Sequence, residues 1–109
     1  MAESARTTPW VGDLESMIEF AQGGIVSKTI LSEPQTKVVL FSFKAGQSLS
    51  EHTAGVPAAI HVLRGKASIL LGDERHDAQA GTYVYMPANL THAVDASEDL
   101  VFLLTLFRA

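Results

Sequence analysis

Apolar and polar residues alternate along most of this chain, in short stretches that are separated by turn-forming residues. From residue 25 onward the apolar positions repeat every second residue, and clusters of Gly, Pro, Asn, Asp and Ser interrupt them at regular intervals. A two-residue period with frequent turn signals predicts an all-β protein with many short strands. The predicted strands span residues 25–31, 36–43, 49–53, 59–64, 66–71, 75–78, 82–86, 91–95 and 100–107.

The connections between the predicted strands are short. Antiparallel strands can be joined by tight turns, whereas neighbouring parallel strands need long crossover segments, usually helices. No second helical segment follows residue 24, so we expect an antiparallel sandwich or barrel. With 109 residues the chain has the length of one domain. We expect a flexible N-terminal segment at residues 1–12 and a single domain at residues 13–109.

A different period precedes the strands. Four apolar residues have the spacing of one helix face: Leu14, Met17, Ile18 and Ala21. Asp13 precedes them as a candidate N-cap, and the pair Gly23–Gly24 follows them as a stop. This pattern predicts one short helix that packs on the barrel.

The last predicted strand, residues 100–107, is apolar on both faces. A strand between core and water would alternate, so we expect its outer face to be covered as well. Three alternatives fit: a second copy of the chain, the N-terminal helix, or a buried central strand without a partner. Charged residues make up only 18% of the chain, which favours apolar surface covered by a second subunit, and therefore a homodimer.

Composition and charge exclude several classes of function. The net charge is −4 and no Lys/Arg cluster is present, which argues against nucleic-acid binding. The chain has no cysteine, so disulfides and thiolate chemistry are excluded. No apolar stretch reaches membrane-spanning length, and no secretory signal pattern is visible at the start. We therefore expect a cytoplasmic protein without nucleic-acid or membrane partners.

Two segments each carry a glycine followed by a histidine, Gly46 with His52 and Gly81 with His92. Both segments lie in β-rich surroundings, and each ends near the start of another predicted strand. Histidines that are delivered by separate strand pairs can converge inside a small barrel. We expect His52 and His92 to meet there and to mark the binding site.

The spacing of these residues resembles the two sequence motifs of the cupin family, over roughly residues 36 to 107. Six residues match in identity and position: Gly46, His52 and Gly65 in the first motif, and Gly81, Pro87 and His92 in the second. Asn89 stands where the second motif usually has glycine, and both residues tolerate a positive φ. The resemblance implies an antiparallel jelly-roll barrel, and more narrowly a small single-domain cupin.

The resemblance also implies a metal site, which this sequence matches only in part. Metal-dependent cupins use three histidines and one glutamate that point into the barrel. Of those positions only His52 and His92 are kept, and Ala54 and Ala58 occupy the other two. A catalytic divalent site usually has three protein ligands. The expected site is therefore reduced or absent, and Zn, Ni, Fe and Mn are the candidate metals.

His61 is the candidate third metal ligand. Side chains alternate along a strand, so if Ala58 points inward, Ile60 and Val62 point inward and His61 points outward. A bulge near Pro57 would reverse this direction. Both alternatives stay open, and the outward direction is favoured.

We predict a ligand pocket that is apolar apart from two imidazoles. Its predicted lining is His52, His92, Ala54, Ala58, Ile60, Val62 and Met86. The first hypothesis is a module that binds a small molecule through His52 and His92 without assignable catalysis. The alternative is a metal-dependent enzyme of the dioxygenase or isomerase type. A purely structural or interaction domain is the third reading.

Overall fold

A computed structural model describes residues 6–108, and this part of the chain is built almost entirely from β-strands. The nine strands of the described residues are β1 (Ile25–Ser32), β2 (Thr36–Phe43), β3 (Ser48–His52), β4 (Ala58–Arg64), β5 (Lys66–Leu71), β6 (Glu74–Gln79), β7 (Tyr83–Met86), β8 (His92–Ala96) and β9 (Leu100–Phe107). Every strand that the alternating pattern predicts is present, and its ends agree with the prediction to within one residue.

The strands form two antiparallel sheets that face each other. The five-stranded sheet has the order β1-β2-β9-β4-β7, and the four-stranded sheet has the order β3-β8-β5-β6. From β3 onward the chain crosses repeatedly between the two sheets, so each sheet contains strands that are distant in sequence. This arrangement confirms the expected antiparallel jelly roll. No helix of the described residues is long and apolar enough to cross a bilayer.

Apolar side chains from both sheets fill the space between them. Phe102 of β9 stacks on Phe41 with ring centroids 5.1 Å apart, and Phe43 lies 5.5 Å from Phe102. The fully buried part of this core comes from both sheets and includes Ile60, Val62, Met86, Ile69 and Val94. The interior is therefore packed with side chains over much of its length.

The predicted N-terminal helix is wrong in extent. Only one 3-10 turn forms, at Glu15–Met17, and Ile18 already has extended backbone angles. The Asp13 carboxylate accepts a hydrogen bond from the Glu15 N–H at 3.1 Å, which closes a local turn without starting a longer helix. A helix of some ten residues is marginal without tertiary support. Ala21, the last residue of the predicted apolar face, is exposed.

The N-terminal segment instead runs along the outer face of the five-stranded sheet. Glu19 pairs with Lys28 of β1 at 3.0 Å, and Glu15 pairs with Arg64 at the end of β4. Between these two strands, the outward-facing Val101 of β9 is completely buried. Of the three alternatives for the outer face of β9, the N-terminal segment therefore covers the first part of the strand.

Candidate functional site

The two histidines that the sequence singles out lie side by side. His92 is the first residue of β8, and His52 is the last residue of the neighbouring strand β3. The two residues are directly paired across the strands. Their ring centroids are 4.0 Å apart, with an angle of 59° between the ring planes. The structure thus brings together the two side chains that were expected to converge.

A β-bulge in β3 determines the direction in which His52 points. Leu49 pairs with Val94 and His52 pairs with His92, so β3 uses one more residue than β8 between these two pairs. In a regular strand, residues three apart point to opposite faces. The extra residue reverses this rule and puts Leu49 and His52 on the same inner face. Bulges commonly redirect a side chain in this way beside functional sites.

The two rings differ in their contact with solvent. His92 is only 6% exposed, because β8 lies between two other strands. His52 is exposed, because β3 is an edge strand and His52 is its last residue. The expectation that both rings lie inside the barrel is therefore wrong for His52. The histidine pair is at the mouth of the barrel, with one ring against the core and the other facing solvent.

Backbone hydrogen bonds fix both rings in the same way. Nδ1 of His52 lies 2.8 Å from the carbonyl oxygen of Ser50, and Nδ1 of His92 lies 2.8 Å from the carbonyl oxygen of Leu90. A carbonyl oxygen can only accept, so we assign the proton to Nδ1 in each ring. In the neutral imidazole, Nε2 then carries a free lone pair. The pair therefore presents two adjacent nitrogen atoms that can accept a hydrogen bond or bind a metal.

The turn before β8 supplies the carbonyl that holds His92. Asn89 has a φ of 68°, which confirms that asparagine takes the positive-φ position where related motifs have glycine. Its N–H donates to the Ala54 carbonyl at 2.7 Å, and the Thr91 carbonyl accepts from the Gly72 N–H at 2.7 Å. Leu90 lies between these two anchored residues, which fixes its carbonyl oxygen in hydrogen-bond contact with Nδ1 of His92.

A polar network on the outer face holds the edge strand β3 against β8. The Ser48 hydroxyl donates to the Asp95 carboxylate at 2.5 Å, and the Arg75 guanidinium donates to the same carboxylate at 2.7 Å. The hydrogen bond from Ser48, and after it that from Arg75, keep the pKa of Asp95 below its ordinary value. The carboxylate is thus stabilised as an anion at the strand pair that carries both histidines. Sequence reasoning missed this network because its members are far apart along the chain.

The other predicted pocket residues are not all beside the histidine pair. Ala58, Ile60, Val62 and Met86 belong to the packed core and are at most 3% exposed. Ala54 is half-buried in the loop that contacts the turn before β8. These positions lie on the inner side, as alternation predicts, but neighbouring side chains occupy the space in front of the core residues.

His61 lies on the opposite side of its sheet. Its side chain is exposed on the outer face of β4, and its ring centroid is 6.0 Å from that of Tyr83. The favoured outward direction is therefore the one observed. No bulge reverses β4 between Ala58 and His61, because these residues pair regularly with β7. The structure does not bring His61 to the histidine pair.

The donor set at the pair does not fit a complete divalent metal site. Among residues 6–108, no group of three or more His, Cys, Asp or Glu side chains could hold a metal ion. The pair supplies two imidazoles, and no carboxylate of the described residues joins them in such a group. Catalytic zinc sites use three protein ligands, and the facial triad of non-haem iron enzymes includes a carboxylate. The chain's own residues therefore supply only part of such a site.

Two surface grooves lie away from the histidines. One, of about 420 Å³, has among its lining residues Lys66, Gln79 and Ser97, at the ends of β5, β6 and β8 that are remote from His92. The other, of about 560 Å³, is lined by residues 33–36 and by Phe107. Neither groove is lined by His52 or His92. The candidate site is therefore identified by its two adjacent imidazoles and not by the shape of the surface.

Comparisons with other proteins agree with this architecture. The family model described as "Cupin domain" matches residues 39–106. A Streptococcus pyogenes protein of unknown function is 25% identical, with a TM-score of 0.83, over 100% of this chain and 96% of that one. An RmlC-like cupin from Desulfovibrio desulfuricans is 27% identical, with a TM-score of 0.83, over 92% of this chain and 97% of that one.

A longer protein contains a similar domain. A cupin 2 conserved barrel domain protein from Leptotrichia buccalis is 30% identical, with a TM-score of 0.80, over 86% of this chain and 46% of that one. The comparison with curated proteins gave no match. The family model covers the strands from β2 to β9 and includes both histidines of the pair. On this sequence match and on the jelly roll that carries it, the chain belongs to the cupin family.

Proposed function

We propose that this protein binds a small organic molecule at the mouth of its barrel through His52 and His92. The observation that carries the proposal is the adjacency of two imidazoles whose Nδ1–H groups are already bound to backbone carbonyls. In a neutral imidazole with this arrangement, Nε2 is a hydrogen-bond acceptor. The ligand is therefore a molecule that donates hydrogen bonds or carries a positive group at the end that meets the rings.

Apolar side chains around the pair favour a ligand with an apolar body. Leu71 pairs with His92 across β5 and β8, and Leu49 and Leu90 lie close to the histidines along the chain. All three are partly buried and pack against the core. Sites for small molecules typically combine mostly apolar walls with a few polar groups that fix orientation. Because core residues fill the barrel behind the pair, the ligand is small and lies close to solvent.

A screen by thermal shift in chelator-containing buffer tests this function. We expect compounds with a hydrogen-bond donor group and a small apolar body to raise the Tm. A ligand at a hundred times its Kd stabilises the folded state by about 2.7 kcal/mol. His52→Ala, a change at an exposed position, is expected to abolish the shift, and His92→Ala should do the same. His61→Ala is the matched control, because this exposed histidine lies on the outer face. His61 also belongs to the proposed dimer patch described below, so the shift of each variant is measured against its own Tm without compound.

Two results would contradict the proposal. Compounds that raise the Tm of the His52→Ala and His92→Ala variants as much as that of the wild type would bind elsewhere. A broad screen without any compound that raises the Tm would leave the pair without a ligand. The expected pattern is a shift that the wild type and His61→Ala share and that both other variants lose.

A metal-dependent enzyme of the dioxygenase or isomerase type is the alternative reading. The free Nε2 atoms are in its favour, because neutral imidazole is a common metal ligand. The lack of a third donor among the described residues counts against it. The small-molecule function needs nothing beyond the two rings and the apolar residues beside them, so it is preferred.

We also propose that the protein is a homodimer through the outer face of its five-stranded sheet. Tyr83, Tyr85 and Phe107 are 62%, 58% and 40% exposed on that face. None of the outward-facing positions beside them is Asp, Glu, Lys or Arg: Ala59, His61, Leu103 and Thr105. A two-fold axis would pack this patch on its own copy without removing a charged group from water.

The substitution Tyr85→Lys tests the dimer. In this interface each copy would bury the charge of the new lysine without a partner, so we expect the dimer to weaken by about a hundredfold or more. Sedimentation velocity over a range of concentrations measures this change. Ala80→Lys, at an exposed turn outside the patch, is the control and should leave the dimer intact. A wild-type protein that stays monomeric at tens of micromolar would contradict the proposal.

A further inference from the structure

We infer that the polar network on the outer face of the four-stranded sheet maintains the bulge of β3, and thereby keeps Leu49 and His52 together on the inner face. Its members are positioning residues for the site: Ser48, Asp95 and Arg75. This inference rests on the proposed role of the histidine pair in binding, and it adds residues that the ligand does not touch.

The network ties the edge strand β3 to the three strands behind it. Arg75 of β6 donates to the carboxylate of Asp95 in β8 at 2.7 Å and to the hydroxyl of Ser68 in β5 at 3.3 Å. Ser48 of β3 donates to the other oxygen of the same carboxylate at 2.5 Å. Hydrogen bonds to an ionised acceptor are stronger than those between neutral groups. One carboxylate therefore joins β3 to the rest of its sheet.

The apolar pattern of β3 specifies its register only weakly. Leu49 is half-buried, and the other four residues of the strand are exposed. Backbone hydrogen bonds can form again after a slip of one residue, whereas such a slip moves every side chain to the opposite face. The contact between Ser48 and Asp95 is thus a second determinant of where β3 begins its pairing with β8.

Regular pairing of β3 with β8 can place Leu49 or His52 on the inner face, but not both. The two residues are three apart, and residues three apart in a regular strand point to opposite faces. The bulge between them lets Leu49 pair with Val94 while His52 pairs with His92. The apolar side chain and the imidazole therefore share one face only as long as the bulge persists.

The bulge persists because β3 is anchored on both sides of the extra residue. At the start of the strand, Ser48 is bound to Asp95. Beyond its end, the carbonyl of Ala54 accepts a hydrogen bond from the Asn89 N–H at 2.7 Å. Without the first anchor, the start of β3 can move by one residue and remove the bulge. One of the two inward side chains then turns to the outer face.

This arrangement makes ligand binding depend on residues outside the site. His52 supplies one imidazole of the pair, and Leu49 supplies part of its apolar surroundings. A ligand that binds only the bulged arrangement loses affinity in proportion to the fraction of molecules that leave it. A compound found in the thermal-shift screen should therefore bind Ser48→Ala more weakly than the wild type, and Ser48→Thr like the wild type.

Nuclear Overhauser effects in the ligand-free protein test the positioning directly. Ser48→Ala removes the hydroxyl, whereas Ser48→Thr keeps it at a strand position that suits a β-branched residue. We expect the wild type and Ser48→Thr to show two contacts, between the rings of His52 and His92 and between the side chains of Leu49 and Val94. At least one of these contacts should weaken in Ser48→Ala.

Hydrogen exchange measures the size of the effect. The Ala96 N–H donates to the carbonyl of Gln47 at 2.9 Å, so its exchange rate reports how often the start of β3 leaves β8. We expect its protection to fall by about fivefold in Ser48→Ala, the factor that one hydrogen bond typically contributes. Arg75→Ala should change it in the same direction. Ser27→Ala, an exposed serine in the edge strand β1 of the other sheet, is the control and should leave it unchanged.

The outcomes distinguish this inference from the proposed function. If both side-chain contacts stay unchanged in Ser48→Ala, the inference is overturned even where Ala96 exchanges faster, because the network would then stabilise β3 without positioning its side chains. Equal weakening in Ser48→Thr and Ser48→Ala also overturns it. A screen without any binding compound contradicts the proposed function but leaves these ligand-free contacts as they are. A contact that Ser48→Ala weakens and Ser48→Thr retains supports the inference.

Discussion

Gly65→Ala is expected to reduce the free energy of unfolding by about 3 kcal/mol or more, because backbone strain and overpacking each contribute about 1–3 kcal/mol. Gly65 connects β4 to β5 with a φ of 86°, which an L-residue rarely adopts. A Cβ atom at this position would lie 2.0 Å from the carbonyl oxygen of Asp99 and 2.9 Å from its carbonyl carbon. Both are backbone atoms, so no side-chain rotation relieves the contact.

Gly46→Ala is the matched control for this prediction. Gly46 has nearly the same φ, 89°, but an added Cβ meets nothing within 4 Å. Its substitution therefore adds the conformational strain alone, about 1–2 kcal/mol. Urea denaturation of both variants measures the difference, which reports the close approach of β9 to the Gly65 turn. Equal losses in the two variants would show that the contact with Asp99 is not tight.

Phe102→Ala is expected to destabilise the fold by about 3–5 kcal/mol, the range for removing a buried phenylalanine side chain. Phe102 is 1% exposed and lies in the centre of the core. Its ring stacks on Phe41 at 5.1 Å and meets Phe43 at 5.5 Å, so the substitution removes both aromatic contacts and leaves a cavity between the sheets. Native proteins have only about 5–15 kcal/mol of stability, so this loss would be a large fraction of the total.

Phe102→Leu separates the cavity from the loss of the aromatic contacts. Leucine keeps much of the apolar volume and leaves a smaller cavity than alanine, so this variant should lose less stability than Phe102→Ala. Urea denaturation with near-ultraviolet circular dichroism follows both variants. A loss of less than about 1 kcal/mol for Phe102→Ala would contradict a core packed around this ring, since such a site would have collapsed without strain.

The strands could be predicted from the sequence because their signals are local. Alternation of apolar and polar residues marks each strand, and Gly, Pro, Asn or Asp marks its ends. The positive φ of Asn89 could be anticipated for the same reason, because it depends on the residue and its own turn. The outward direction of His61 also follows from the regular alternation of β4.

The N-terminal segment shows where local signals mislead. Leu14, Met17 and Ile18 have helical spacing, and all three are half-buried in the structure. They are buried because the segment runs across the sheet. Glu15 and Glu19 of this segment form ion pairs with residues of the sheet. In a short segment without its own stability, contacts with the rest of the protein outweigh helical spacing.

The candidate site could be predicted in part. The motif spacing placed His52 and His92 together, and their rings are neighbours in the structure. The bulge in β3 and the exposure of His52 could not be foreseen, because both depend on which strand β3 pairs with and on its place at the edge of its sheet. The tight packing of the interior could not be predicted either, because the alternating pattern shows which side chains point inward but not how closely they pack. The ligand role of the pair stays a prediction.

The order of residues along the chain alone determined the all-β class and the nine strands, since a two-residue period and turn residues act over a few neighbouring positions. It also singled out the two histidines of the candidate site. The tertiary structure alone decided the register between β3 and β8, the mouth position of the imidazole pair and the course of the N-terminal segment. Each of these depends on contacts between residues far apart in sequence, whose free energy becomes available only when the two sheets have come together.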